Sequence, residues 1–307
     1  MTKENMPTPA NSNGVRYRVR HSTSCHYTDD ILLAQHVLHL SPRPLARQRV
    51  LSHRIEIDPV PETRAEHLDY FDNPTTYLAV QHPHNSVVVR NEIEIAVAAP
   101  APLDLEATPP WERVRDWVRA ATDEGARAAA RFAYTSPLVP VLPELGAFAA
   151  PSFTPGRPIA AAALDLRARI HREFVYDPVA TTISTPLVQV LEERRGVCQD
   201  FAHLAIGCLI ALGLPARYVS GYLRTTPPEG TPRLVGADAS HAWLSVWCGG
   251  ETWLDLDPTN DRVNPTDFVT LAWGRDYQDV SPMRGVLIGG GRQDLVVEVD
   301  VEPLGPA

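Results

Sequence analysis

Two apolar runs, HAWLSVWC at 241–248 and ETWLDLD at 251–257, stand on either side of Gly249-Gly250. Each has the length and the Trp, Val and Leu content of a strand, and the glycine pair between them has the form of a two-residue hairpin turn. The hairpin sets His241, at the start of its first strand, roughly opposite Asp257, at the end of its second. Cross-strand partners come within hydrogen-bond reach. A strand pair of this kind also needs a layer to pack on, and the preceding segment supplies one. Phe201, Ala205, Cys208 and Leu212 share one face of a predicted helix that ends at Gly213, just before Pro215. Ala216–Leu223 then reads as a further strand. Upstream, Ala160–Phe174 and Leu187–Arg194 read as helices, the second closed by Gly196. Helices first and antiparallel strands second describe an α+β domain, with helices packed on an antiparallel sheet.

The first third of the chain has a different texture. Val15, Tyr17 and Val19 alternate with Arg16, Arg18 and Arg20, and Ile93, Ile95 and Val97 alternate with Glu92, Glu94 and Ala96. Between them lie short apolar runs punctuated by prolines, the pattern of an all-β, sandwich-like domain. The expected organisation is therefore a disordered tail at 1–14 and an N-terminal β-sandwich-like domain at 15–100. A helical and proline-rich connector follows at 101–158, then a core at 159–303. The alternating Leu295–Glu302 forms its C-terminal strand. The proline-rich stretch 135–158 is expected to wrap over the surface.

Composition excludes several partners. The 307 residues are 44% hydrophobic and carry a formal net charge of −9. Nucleic acid and anionic membranes both demand positive charge in quantity, so neither is expected as a partner. Lys3 is the only lysine. Cys25, Cys198, Cys208 and Cys248 lack the close spacings of a disulfide framework. The N-terminus has no apolar signal core and no run is long enough to cross a bilayer, which makes a cytoplasmic location the expectation. Cys25-His26 and His82-x-His84 fall short of zinc spacing, and no nucleotide-binding signature is present, so no metal or cofactor is expected.

One cysteine stands apart. Cys198, in RRGVCQDFAH, sits directly ahead of the Phe201–Leu212 helix. The positive end of a helix dipole favours thiolate over thiol, and the first backbone N–H groups of a helix lack partners and can donate to an oxyanion. Such a nucleophile needs a proton acceptor, and the hairpin offers His241 with Asp257 to hold its tautomer. Asp255 shares the strand parity of Asp257, but Asp257 stands at the strand end before Pro258. His203 falls about 140° round the helix from Cys198, as a packed histidine rather than a base.

The run GVCQDFAHLAIGCLIALGLPARYVSGYL, with SHAWLSVW and WLDLDPTN after it, resembles the transglutaminase-like superfamily, a branch of papain-like thiol enzymes. YRVRHSTSCHY, LHLSPRP and DYFDNPTTY resemble the β domain that precedes the core in bacterial members, and GRDYQDVSPMRG the segment after it. The likeness spans about residues 15–303. It departs at Cys25, where an aromatic residue is expected, and at Asp267-Phe268, where a histidine is common. It implies a catalytic triad: Cys198 as nucleophile, His241 as base and Asp257 as orienting acid. It also implies that Tyr176, in FVYDP, reaches the site as an oxyanion donor, and that Gln199 shapes the cleft. Of Trp243, Trp247 and Trp253, at most one lines the cleft, and Trp243 is the candidate. The implied activity is acyl cleavage or transfer at an amide bond of a peptide or protein through a thioester, with a cysteine peptidase or amidase ahead of a transglutaminase. Acetyl transfer to an arylamine and a non-catalytic binding module on the same fold are the other readings. Specificity would come from loops such as 224–237 and 135–158.

Overall fold

The computed structural model describes residues 14–121, 123–224, 239–263 and 266–307. The amino-terminal tail other than Gly14, and nearly all of the 224–237 loop, lie outside the described residues.

The alternation at Val15 opens a strand far longer than it suggested, β1 (Val15–Leu38), which is the spine of the first sheet. Four strands follow: β2 (Gln48–Asp58), β3 (Thr63–Leu68), β4 (Pro74–Val80) and β5 (His84–Val97). The first half of β1 pairs antiparallel with β5 and the second half with β4, while β2 flanks β5 and β3 flanks β4. The sheet curls, and Tyr17, Val19, Ile31, Leu38, Val89, Ile93 and Ile95 are buried in its core. Tyr222, Val269 and Leu271, from the other half of the chain, are buried in that same core.

Helical material follows: α1 (Trp111–Ala120), α2 (Glu124–Ala130), α3 (Pro143–Ala149) and α4 (Ile159–Glu173). The proline-rich 135–158 does not wrap over the surface as expected. Val139, Leu145, Phe148 and Phe153 from it are buried in the second core, because α3 packs its apolar side against a later helix. Next come β6 (Val175–Tyr176), α5 (Leu187–Glu193), β7 (Arg195–Gly196) and the central helix α6 (Cys198–Ala211). Residues from Asp200 to Ile210 are buried all round α6, not on one face alone. The sheet covers one side and α3, α4 and α5 the others, as a helix apolar over most of its circumference requires. Gly213, with φ +76°, stops it, and the Leu214 N–H returns to the Leu209 carbonyl at 2.9 Å.

The second sheet comprises β8 (Ala216–Leu223), β9 (Ala239–Gly249), β10 (Thr252–Asp257), β11 (Arg262–Val263) and β12 (Phe268–Gly274), in the order β11-β10-β9-β8-β12. A short helix, α7 (Tyr277–Val280), leads to β13 (Met283–Gly289) and β14 (Gln293–Pro306). These last strands correct the expected organisation. Leu295–Glu302 lies in β14, which leaves the core and pairs with β1 in the first sheet, from Val15 opposite Pro306 to Tyr27 opposite Gln293. Its alternation places Val299 and Val301 in the first core. Period-two patterning marks a strand and its buried face, and carries no information about which sheet receives it. The architecture is α+β: an N-terminal β domain on a helix-and-sheet core.

Gly221 sits in mid-sheet on β8, between His241 of β9 and Thr270 of β12. A Cβ there would overlap the Val269 carbonyl oxygen and lie 2.7 Å from the Trp243 ring. Gly221→Ala is therefore expected to cost about 1–3 kcal/mol by overpacking. Urea denaturation reads this as a lower midpoint at unchanged slope; an unmoved midpoint would show that the contact is not tight.

Candidate active site

Cys198 is the first residue of α6, after Val197 in extended backbone. Asp200, one turn into the helix, reaches back to accept the Val197 N–H at 2.8 Å and the Thr181 hydroxyl at 2.6 Å. Burial pushes the Asp200 carboxyl up, and those two bonds only partly offset it. A Cβ on Gly196 would meet Asp200 Oδ2 at 2.7 Å, so the glycine is the room that this carboxylate occupies. Parallel pairing of β6 with β7 sets Tyr176 opposite Gly196, two residues ahead of the thiol. Tyr176 is 55% exposed. Partial burial and then the neighbouring Cys198 push its hydroxyl pKa up.

The imidazole comes from β9. His241 Nε2 and Asp257 Oδ2 are 2.9 Å apart, and Asp257 is wholly buried. The pair is not directly opposite, as the hairpin reading expected. Leu256 faces Leu244, so Asp257 falls opposite Trp243 and meets His241 diagonally. The turn falls at Gly250-Glu251 rather than at the expected Gly249-Gly250 and pairs Gly249 with Thr252, and an unbroken ladder from there would bring Asp257 opposite Leu244, on the wrong face. A register shift between Thr252 and Trp253 moves the strand by the one residue needed. Asp255 forms an ion pair with Arg47 instead.

Asp257 is held on all sides. Its Oδ1 accepts the backbone N–H of Thr259 at 2.9 Å and that of Asn260 at 3.3 Å, and its Oδ2 accepts the Asn260 amide at 2.7 Å. Burial alone would raise this carboxyl, but the bond from His241, its charge and the Asn260 and Thr259 donors hold it below its ordinary value. Burial alone would likewise lower His241. The hydrogen bond to Asp257, with its charge and the neighbouring Cys198, outweighs it and holds the imidazole up at about 9. With Nε2 given to Asp257, Nδ1 is the nitrogen left for the thiol. Phe268 meets the ring edge-on at 5.4 Å, and Trp243 stacks on it at 6.1 Å with 25° between planes. Trp243 is fully buried. It packs behind the imidazole and does not line the cleft, a correction to the cleft role expected for it.

Cys198, Gln199 and His241 open on a cavity of 490 Å³ whose opposite wall is the first sheet, with His21, Thr23, Cys25, Tyr27 and His36. Cys25, where an aromatic was expected, is buried in that wall and receives the Gln293 amide at 3.3 Å. Neither 135–158 nor Tyr176 lines the cavity. All four cysteines are free, and burial pushes Cys208 and Cys248 up to about 12. His203 is packed against Tyr218 and accepts the Tyr277 N–H at 3.1 Å. Among the described residues no cluster of three metal-ligating side chains occurs, and no helix is long and apolar enough to cross a membrane.

Sequence reasoning missed Asn260, Phe268, Tyr218 and the contribution of the first sheet. Only Asn260 left a signal, as the last residue of the DPTN turn, where a side chain can fold back on a preceding carboxylate.

The fold and this site define a protein of the transglutaminase-like superfamily, a family of thiol enzymes, and the chain belongs to it. Residues 17–96 match the bacterial transglutaminase-like N-terminal region, and residues 147–258 match the transglutaminase-like superfamily core. The uncharacterized protein Rv2569c of Mycobacterium tuberculosis is 41% identical over 298 residues, covering 94% of this chain and 93% of that one. A protein-glutamine gamma-glutamyltransferase of Pseudomonas aeruginosa is 32% identical over 130 residues, 38% of this chain and 20% of that protein. Among solved structures, a candidate cysteine protease of Cytophaga hutchinsonii superposes with a TM-score of 0.74 at 19% identity, over 96% of this chain and 93% of that one.

A raised imidazole favours the folded state up to its own pKa. Stability from His241 is full below about pH 6.5, the unfolded value, and is lost as pH rises through about 9. In Asp257→Asn the acceptor charge is gone and burial dominates, so NMR titration of His241 is expected to fall below 6.5. A value unchanged near 9 would show that Asp257 does not hold the proton there.

Proposed function

We propose that the chain is a thiol amidase or peptidase that works through a Cys198-His241-Asp257 triad and a thioester. The observation that carries this is the buried His241–Asp257 pair, whose imidazole lines the same cavity as the Cys198 thiol at the start of α6. Cys198 Sγ, its proton already on His241, attacks the carbonyl carbon of the scissile amide. The oxyanion forms beside the first backbone N–H groups of α6, which have no intrahelical acceptor. Gln199 on the cavity wall is a further donor within this region. The C–N bond breaks as the imidazolium gives its proton to the leaving amine, leaving an acyl thioester on Cys198. Water, deprotonated by His241, then attacks the thioester. The acid departs and the sulfur is left as it began, with the proton on His241.

Hydrolysis is favoured over transfer to an amine by the cavity wall. Among its described residues there is no Asp or Glu to hold an incoming ammonium group. A free amine would have to enter a site that offers its charged form nothing.

The test is an intact-mass experiment on peptide libraries with and without a primary amine. Wild-type enzyme is expected to show a trapped acyl group on Cys198 and release of the free acid, and Cys198→Ala neither. An amine adduct as the main product would assign transferase activity. Labelling by iodoacetamide at neutral pH is expected to vanish in Cys198→Ala; equal labelling through Cys25 would remove the assignment. Because the imidazolium is the acid that protonates the leaving group, kcat/KM is expected to fall on an alkaline limb at about 9. A limb near the ordinary histidine value would contradict the raised imidazole.

A further inference from the structure

The cavity that opens on Cys198 holds a hydroxyl that no other group of the protein satisfies. Tyr218 stands on β8, opposite Leu244 of β9. Its ring packs over that of His203 in α6, with centroids 4.9 Å apart, and meets Tyr277 edge-on at 6.4 Å. Only 2% of the residue is exposed. The hydroxyls of its neighbours are paired, that of Tyr277 with Ser281 at 3.3 Å and that of Tyr222 with His21 at 2.7 Å. The Tyr218 hydroxyl has no hydrogen-bond partner among the described residues. It is not sealed in, however, and the residue lines the cavity beside Cys198, Gln199 and His241. Buried polar groups are almost always paired, so one left open toward a cavity points to a partner that enters from outside.

We propose that Tyr218 is a catalytic residue of this site, its hydroxyl donating to the substrate's carbonyl oxygen as Cys198 attacks. The inference rests on the reading of Cys198 as an acyl-accepting nucleophile. As the C–S bond forms, the carbonyl π pair moves onto oxygen. The charge settles between the first N–H groups of α6 and the Tyr218 O–H. The hydroxyl gives up no proton: the C=O bond re-forms, the C–N bond breaks, and the amine leaves with the proton of His241. Burial, then the neighbouring Cys198 and Tyr277, push the Tyr218 hydroxyl well above its ordinary pKa, so it stays a donor through the neutral and mildly alkaline range. Tyr218 thus takes the part expected of Tyr176, which does not line the cavity. Its packing on His203 fixes the ring against the same helix whose N–H groups share the oxyanion. A donor held in place before the charge develops is what such stabilisation requires.

Tyr218→Phe keeps the ring and removes only the oxygen, and two reactions of Cys198 isolate what that oxygen does. Acylation by p-nitrophenyl acetate passes through an oxyanion. Alkylation by iodoacetamide displaces iodide from a saturated carbon and does not. Acylation, followed by nitrophenolate release and by intact mass, is expected to slow about a hundredfold in Tyr218→Phe, with the alkylation rate at pH 7 unchanged. The variant is expected to melt no lower than wild type, because an unpaired buried hydroxyl adds nothing to the fold. Equal acylation of the two proteins would overturn this inference alone. Alkylation slowed in step with acylation would also overturn it, by assigning the hydroxyl to the sulfur or to the fold. A wild-type Cys198 that is alkylated but never acylated would overturn the thiol-enzyme reading and this one with it.

Discussion

A carboxylate with no solvent exposure stays ionised only where hydrogen bonds and charge replace its water, since the desolvation of an unpaired one costs several kcal/mol. Asp257 is such a group, and the surrounding structure is arranged to satisfy it. The DPTN turn folds back so that two backbone N–H groups and the Asn260 amide point at the carboxylate, and the remaining donor is His241. That last bond acts in both directions. It keeps the acid ionised, and it keeps a proton on an imidazole that burial would otherwise strip. The chemistry proposed for Cys198 depends on that proton. The aromatic clamp of Trp243 and Phe268 on the same ring leaves it little freedom to turn away.

The first sheet is as much part of the site as the core is. Cys198 and His241 form one side of the cavity, and β1 with the C-terminal β13 and β14 forms the other. Tyr222 ties the two together: it is buried in the core of the first sheet, belongs to β8 of the second, and hydrogen-bonds His21 in the cavity wall. An N-terminal domain joined in this way supplies half the wall of the cavity on which Cys198 and His241 open.

The legibility of this fold and site in the amino-acid sequence divides along physical lines. Local signals sufficed where the determinant was local: a helix start for Cys198, a glycine turn for the hairpin, an alternation for each long strand. The facing of His241 and Asp257 could be anticipated only loosely, because the one-residue register shift that puts them on one face has no marker in the sequence. The destination of β14 was not legible, since strand patterning is silent on partners. Nor was the role of Trp243, because a tryptophan two residues from His241 reads the same in sequence whether it packs behind the ring or lines the cleft. Asn260 acts on a neighbour 3 residues away, Asp257, and that short separation is why its relation left a trace.

The proposed chemistry requires that the His241–Asp257 pair activate Cys198. The most direct measurement is the second-order rate of Cys198 alkylation at pH 7 in wild-type enzyme and in His241→Ala, with the labelled residue mapped by mass spectrometry. Loss of the base is expected to slow labelling of Cys198 by about a hundredfold, while Cys208 and Cys248 remain unlabelled in both. Equal rates in the two proteins would mean that the imidazole does not act on this thiol, and the triad would have to be abandoned.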